Sequence, residues 1–126
     1  MRVLLDTATF LWAAQSPEQL SRAALAVLRS VETERELSSL SISEIAIKNT
    51  LGKLEFDLKN VLRSLDDLIV RVLPYRAEHA LELFSLPRHH ADPFDRQIIA
   101  QALAEDLPVV TSDRSFRLYK GVKVIW

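Results

Sequence analysis

The sequence predicts an α/β domain with a central, mostly parallel sheet of about five strands. Short apolar runs of strand length alternate along the chain with segments whose apolar residues recur at helical spacing. Prolines, glycines and capping residues punctuate the boundaries, and acids repeatedly stand just after a strand or in the first turn of a helix.

Val3-Leu4-Leu5, stopped by Asp6, has the form of a buried strand. Thr7 to Ala14 reads as a helix, broken at Ser16-Pro17, and Leu20, Ala24, Leu28 and Val31 then recur at helical spacing for a second one. Leu37 to Leu40 is the next strand. Ser41 followed by Glu44 has the form of a capping box opening a helix to about Lys53, with Gly52 near its end. From Asn60, residues Val61, Leu62, Leu65, Leu68, Ile69 and Val72 fall on one helical face, and Val72-Leu73 before Pro74 suits a third strand. Ala77, Ala80, Leu81 and Phe84 mark a further helix ended by Pro87.

Asp92-Pro93-Phe94-Asp95 is a helix start: a capping acid, proline at the first helical position and another acid in the first turn. Phe94, Ile98, Ala102 and Leu103 supply the buried stripe of that helix. Val109-Val110-Thr111 is a fourth strand, ending at Ser112-Asp113, and Val122 to Ile125 a fifth. No repeat or linker divides residues 1–126, so one domain is expected.

Composition removes several chemistries. Only Gly52 and Gly121 are present, too few for a Walker loop or a dinucleotide fingerprint. The absence of cysteine excludes a thiol nucleophile, a zinc ribbon and a disulfide framework, and fits a cytoplasmic location. No Gly-x-Ser-x-Gly elbow accompanies the serines. The longest apolar run, Ala23 to Leu28, has six residues against the roughly 20 of a bilayer helix, and no signal peptide is expected at the N-terminus. Seventeen acidic and 16 basic residues leave a net charge of -1, so a nucleic-acid partner is not advertised by the total. The distribution is less even: Arg114, Arg117, Lys120 and Lys123 follow one another to Trp126 with no acid between them.

The acids carry the chemistry. In an open parallel sheet, ligands bind beyond the carboxyl ends of the strands. Asp6, Glu44, Asp95 and Asp113 all belong to that edge. Converging carboxylates repel one another unless a cation intervenes, and Mg²⁺ or Mn²⁺, which take oxygen ligands, answer that need. Such ions serve phosphodiester hydrolysis, by activating water and neutralising charge on the phosphate. Each acid also has a plainer reading. Asp92 has the spacing of an N-cap, Asp95 suits the helix dipole, and Glu44 suits the capping box. Asp6 and Asp113 lack an evident capping role and favour chemistry. The adjacent His89 and His90 have no diagnostic ligand spacing, His79 among apolar residues reads as structural, and Trp12 and Trp126 read as core or interface residues.

Four pieces of the chain, Leu4-Leu5-Asp6-Thr7 with Leu11-Trp12 downstream, Ser41-Ile42-Ser43-Glu44-Ile45, His90-Ala91-Asp92-Pro93-Phe94-Asp95-Arg96, and Val110-Thr111-Ser112-Asp113 through Phe116, resemble PIN-domain ribonucleases. Within that family the chain is most similar to VapC-type toxins of bacterial toxin-antitoxin pairs. Order, spacing and length agree from Met1 to Trp126.

The resemblance implies a three-layer α/β/α fold, a Mg²⁺ or Mn²⁺ site and endonucleolytic cleavage of RNA, with transfer RNA and ribosomal RNA as usual targets. Asp6, Glu44, Asp95 and Asp113 match the family's acidic quartet, Thr111 or Ser112 stands as an auxiliary group, and Asp92 is either a water-mediated ligand or only a cap. The resemblance also implies a homodimer and a cognate antitoxin supplied by another chain. Arg96 and Arg114 are candidates for gripping RNA.

Three other readings compete. A haloacid-dehalogenase-type phosphotransferase requires a second Asp where Ala8 stands. A phospho-accepting receiver requires an acidic pair after the first strand and an Asp after the third, where Asp6 is alone and Pro74-Tyr75 follows. A binding module that holds RNA or protein without cutting is separated only by an activity assay.

Overall fold

The computed structural model describes residues 1–126. Five strands, β1 (Arg2–Leu5), β2 (Glu34–Ser38), β3 (Val70–Leu73), β4 (Val109–Val110) and β5 (Val124–Ile125), form one sheet in the order β3-β2-β1-β4-β5. Every neighbouring pair is parallel. The chain therefore moves outward from β1 to β3, then returns to the other side of β1 for β4 and β5. This reversal puts the topological switch point between β1 and β4.

The helices are α1 (Thr7–Gln15), α2 (Arg22–Arg29), α3 (Ser39–Thr50), α4 (Leu58–Asp67), α5 (Ala77–Glu82) and α6 (Pro93–Glu105). Alternation along β1 defines the layers. Val3 and Leu5 pack with Phe10 of α1, Ala24 of α2, Ile45 of α3 and Val61 of α4. Leu4 faces the opposite way, against Ile98, Ile99 and Ala102 of α6 and against Phe116 and Tyr119. A strand buried on both faces is expected to read as an unbroken apolar run, which explains Val3-Leu4-Leu5. The three-layer α/β/α arrangement follows.

Several boundaries differ from those the sequence suggests. β2 begins at Glu34 rather than Leu37, and α3 starts at Ser39, capped by Ser38, whose Oγ accepts the Leu40 N–H at 3.1 Å. Ser41 and Glu44 consequently lie inside the helix, and the capping box assigned to them does not form. A reciprocal cap occurs instead between Asp57 and Asn60 at the start of α4. That helix ends at Asp67; Ile69 adopts a left-handed turn with φ 52° and is exposed, while Val72 belongs to β3. Leu81 is exposed, because the inward face of α5 is occupied by His79, and Phe84, expected on the same helix, lies beyond its end and is exposed too. β5 contains only Val124 and Ile125 of the expected run. Trp12 and Trp126 are half-buried and pack on each other with ring centroids 5.8 Å apart.

Candidate metal centre

Asp6 directly follows β1 and caps α1. Its Oδ1 accepts the Thr9 N–H at 2.8 Å, and its Oδ2 accepts the Thr111 hydroxyl at 2.5 Å. Thr111 follows β4, so this bond closes the switch point from both sides. Thr9 reinforces the closure by donating its hydroxyl to the Val110 carbonyl at 2.8 Å. Asp6 is therefore a capping residue after all, and the absence of a local cap role inferred from sequence is corrected. An acid after a strand caps whichever helix begins immediately, and α1 begins at Thr7.

Glu44 arrives from one turn inside α3. A carboxylate can only accept, so the Thr7 hydroxyl donates to Glu44 Oε1 at 2.8 Å and in turn receives the Ser41 hydroxyl at 2.9 Å. Lys48, one turn further along α3, donates to Glu44 Oε2 at 2.7 Å. The lysine ammonium is held protonated above its usual range, chiefly by this hydrogen bond, with Asp92 and Asp95 adding attraction. Neither Thr7 nor Lys48 was singled out from the sequence. The four-residue spacing of Glu44 and Lys48 is the signal that points to their pairing.

Asp92 caps α6, its Oδ1 accepting the N–H groups of Phe94 at 2.9 Å and Asp95 at 3.1 Å. Asp95, in the first helical turn, accepts no hydrogen bond; His90 Nε2 approaches its Oδ2 at 3.7 Å. Arg96 directs its guanidinium to the carbonyls of Leu86 and Pro87 and to the Tyr119 hydroxyl. Asp113 caps the 3-10 turn Arg114–Leu118 through Ser115, and its own N–H donates to Thr111 Oγ1 at 3.0 Å. A capping role thus applies to Asp113 as well as Asp6. Ser112 and Arg114 are exposed beside it.

Electrostatics tie these acids together. Burial, followed by the charges of Asp92, Asp113, Asp6 and Glu44, pushes Asp95 up to about 7. Burial also raises Asp6, against the opposing hydrogen bonds from Thr111 and Thr9. Asp95 thus feels the other three acids of the predicted set together with Asp92, and Asp6 feels Asp113. The donor set is entirely oxygen, with one carboxylate lacking a hydrogen-bond donor and excess negative charge. Those properties fit a hard divalent cation.

A second group of side chains is near enough to share one ion: ligand atoms of Glu78, His79 and Glu105 lie within 4.8 Å of one another. Its hydrogen bonds argue for a structural role. His79 Nδ1 accepts the Arg76 N–H at 2.9 Å, which puts the ring proton on Nε2, where it donates to Glu105 at 3.0 Å. Both ring nitrogens are thereby used. Glu105 lies ten residues along α6 from Asp95, about 15 Å at 1.5 Å per residue. The acidic edge and the His79 group are separate.

The PIN domain family model matches residues 3–122. No curated protein matches the chain. Among solved structures, a chain of VapBC2 from Rickettsia felis bound to a DNA fragment from their promoter has a TM-score of 0.75 at 16% identity, over 98% of this chain and 97% of that one. FitAcB from Neisseria gonorrhoeae gives 0.67 at 24% identity, over 98% and 96%. VapBC-5 from Mycobacterium tuberculosis, a member of the VapBC family of toxin-antitoxin systems, gives 0.66 at 20%, over 98% and 97%.

Proposed function

Since this chain belongs to the PIN-domain family, we propose that it is a metal-dependent endoribonuclease of the VapC toxin type. The observation that carries the proposal is the convergence of Asp6, Glu44, Asp92 and Asp113 on Asp95, which burial first and then these charges raise to about 7. Asp6, Glu44, Asp95 and Asp113 would hold Mg²⁺ or Mn²⁺, and Asp92 is close enough in charge to assist through water. A bound cation supplies an activated water and neutralises charge on the scissile phosphate.

The chain's own groups prepare that site. Thr111 fixes Asp6 while accepting the Asp113 N–H, so one hydroxyl sets two ligands. Thr7 and Lys48 hold the two oxygens of Glu44. Arg114 and the basic residues Arg117, Lys120 and Lys123 follow directly on Asp113 and would engage the RNA backbone, an interaction expected to weaken with salt. Arg96 contributes less to such a grip, because its guanidinium is engaged by the protein. Transfer RNA or ribosomal RNA is the substrate class this reading favours.

The fold likeness to toxin-antitoxin proteins supports a cognate antitoxin as partner. Exposed apolar side chains, including Phe84 at 92% and Leu81 at 64%, support a homodimer. Light scattering at micromolar concentration that finds only a 14.3 kDa species would contradict the dimer. No helix is long and apolar enough to cross a membrane, in keeping with a cytoplasmic protein.

The decisive experiment is cleavage of total cellular RNA by purified protein, with Mg²⁺ or Mn²⁺ and with EDTA, comparing wild type with Asp6→Ala and Asp113→Ala. Metal-dependent cleavage lost in both variants is expected. RNA binding without cleavage would favour the non-cleaving module instead, and unchanged cleavage in both variants would overturn the metal assignment.

A further inference from the structure

His90 Nε2 is buried without a hydrogen-bond partner, and such atoms in native proteins call for an explanation. It faces Asp95 Oδ2 at 3.7 Å, just beyond a hydrogen bond. Asp95 is the one acid of the quartet that accepts no hydrogen bond. Asp6 has Thr9 and Thr111, Glu44 has Thr7 and Lys48, and Asp113 has Ser115.

The proton on the histidine can be placed by following donors. Arg96 can only donate, and its Nη1 reaches the Tyr119 oxygen at 3.3 Å. The Tyr119 hydroxyl keeps its own proton to give, and His90 Nδ1 lies 2.7 Å away. With Nδ1 as acceptor, the ring proton resides on Nε2 and points at Asp95. The opposite tautomer would set a nitrogen lone pair against a carboxylate. The chain of donors is anchored at both ends of its support: Arg96 is tied to the Leu86 and Pro87 carbonyls, and Tyr119 is buried with His89 packed edge-on against it at 4.8 Å.

The geometry points to a proton-ordered strut, Arg96 to Tyr119 to His90, that orients the Asp95 carboxylate for a divalent cation. His90 is a positioning residue, and the inference rests on the reading of Asp95 as a metal ligand. Catalytic hydrogen bonds that are long without ligand commonly tighten in the working complex. A carboxylate that ligates metal is itself held by an outer hydrogen bond, whose loss costs about 10- to 100-fold in affinity.

Two measurements test this. In the metal-free protein, the ring nitrogen shifts of His90 should report the Nε2–H tautomer, and Tyr119→Phe should weaken that preference. Titration with Mn²⁺, read by the electron spin resonance of free ion, should give a dissociation constant about 10- to 100-fold weaker for His90→Leu. His90→Gln, whose amide N–H reaches toward the same carboxylate, should recover most of the loss. An Nδ1–H tautomer in wild type, or equal Mn²⁺ affinity in wild type and His90→Leu, overturns the strut while leaving the metal site standing. Wild type that binds no Mn²⁺ overturns the metal reading and the strut together.

Discussion

Thr111 donates its hydroxyl proton to Asp6 Oδ2 across 2.5 Å, joining the ends of β1 and β4 between residues 105 positions apart. Thr111 Oγ1 also accepts the Asp113 N–H at 3.0 Å. Thr111→Val should therefore remove a donor from one acid and leave the backbone of another without its acceptor. A loss of about 1–3 kcal/mol is expected in urea unfolding with EDTA present, together with reduced RNA cleavage. Thr111→Ser should preserve both. Wild-type stability in the valine variant would mean that the bond contributes nothing.

The elevated acids give the metal-free protein a pH dependence of definite sign. Asp95, raised to about 7, and Asp6, also raised, take up protons more readily in the folded protein than in the unfolded chain. Their contribution is most favourable below the ordinary carboxylate range and is lost as pH rises through about 7. In EDTA, melting temperature should fall over that interval, and Asp95→Asn should melt higher than wild type at pH 8. Mg²⁺ should raise the wild-type value there and leave the variant nearly unmoved. Identical melting curves for wild type and Asp95→Asn at pH 8 in EDTA would contradict the mutual repulsion.

Because Asp6 and Asp113 each cap a helical segment, alanine variants confound folding with chemistry. Asparagine caps about as well as aspartate. Asp113→Asn should thus unfold within about 0.5 kcal/mol of wild type and Asp6→Asn should keep its cap on α1, while each loses metal-dependent cleavage. Cleavage retained in both asparagine variants would show that capping is their whole role.

The His79 group offers a control. Glu105→Gln keeps an oxygen to accept the His79 Nε2 proton and should retain cleavage and Mn²⁺ affinity, whereas Glu44→Gln should lose both. The reverse pattern would move the metal site to Glu78, His79 and Glu105.

Local features of the chain were legible to the extent that their causes are local. The α6 start is written in Asp92-Pro93, and β1 in an apolar run ended by an acid. Ser41 and Glu44 misled because the capping pattern also occurs inside α3, where Glu44 faces Thr7 and Lys48 rather than its own backbone. Leu81 and Phe84 misled because helical spacing identifies a face without saying which partner covers it. The left-handed turn at Ile69 carries no glycine or asparagine to announce it. Tyr119 carries no sign of its role in the sequence, Lys48 only its four-residue spacing from Glu44, Thr7 stands there only as a neighbour of Asp6 and His90 only as a weak ligand candidate, because their roles lie in the atoms they meet.

By itself the sequence determined the alternation of strands and helices, the acids at strand ends and the exclusion of thiol and glycine-loop chemistry, since periodicity, capping and composition act over short stretches. Only the tertiary structure decided that β1 and β4 are neighbours, that Thr111 serves both Asp6 and Asp113, and that Asp95 stands without a hydrogen-bond donor in front of His90. Strand order sets those meetings. Contacts across the whole chain select it, and the energy of each carboxylate then depends on charges that only the folded sheet brings near.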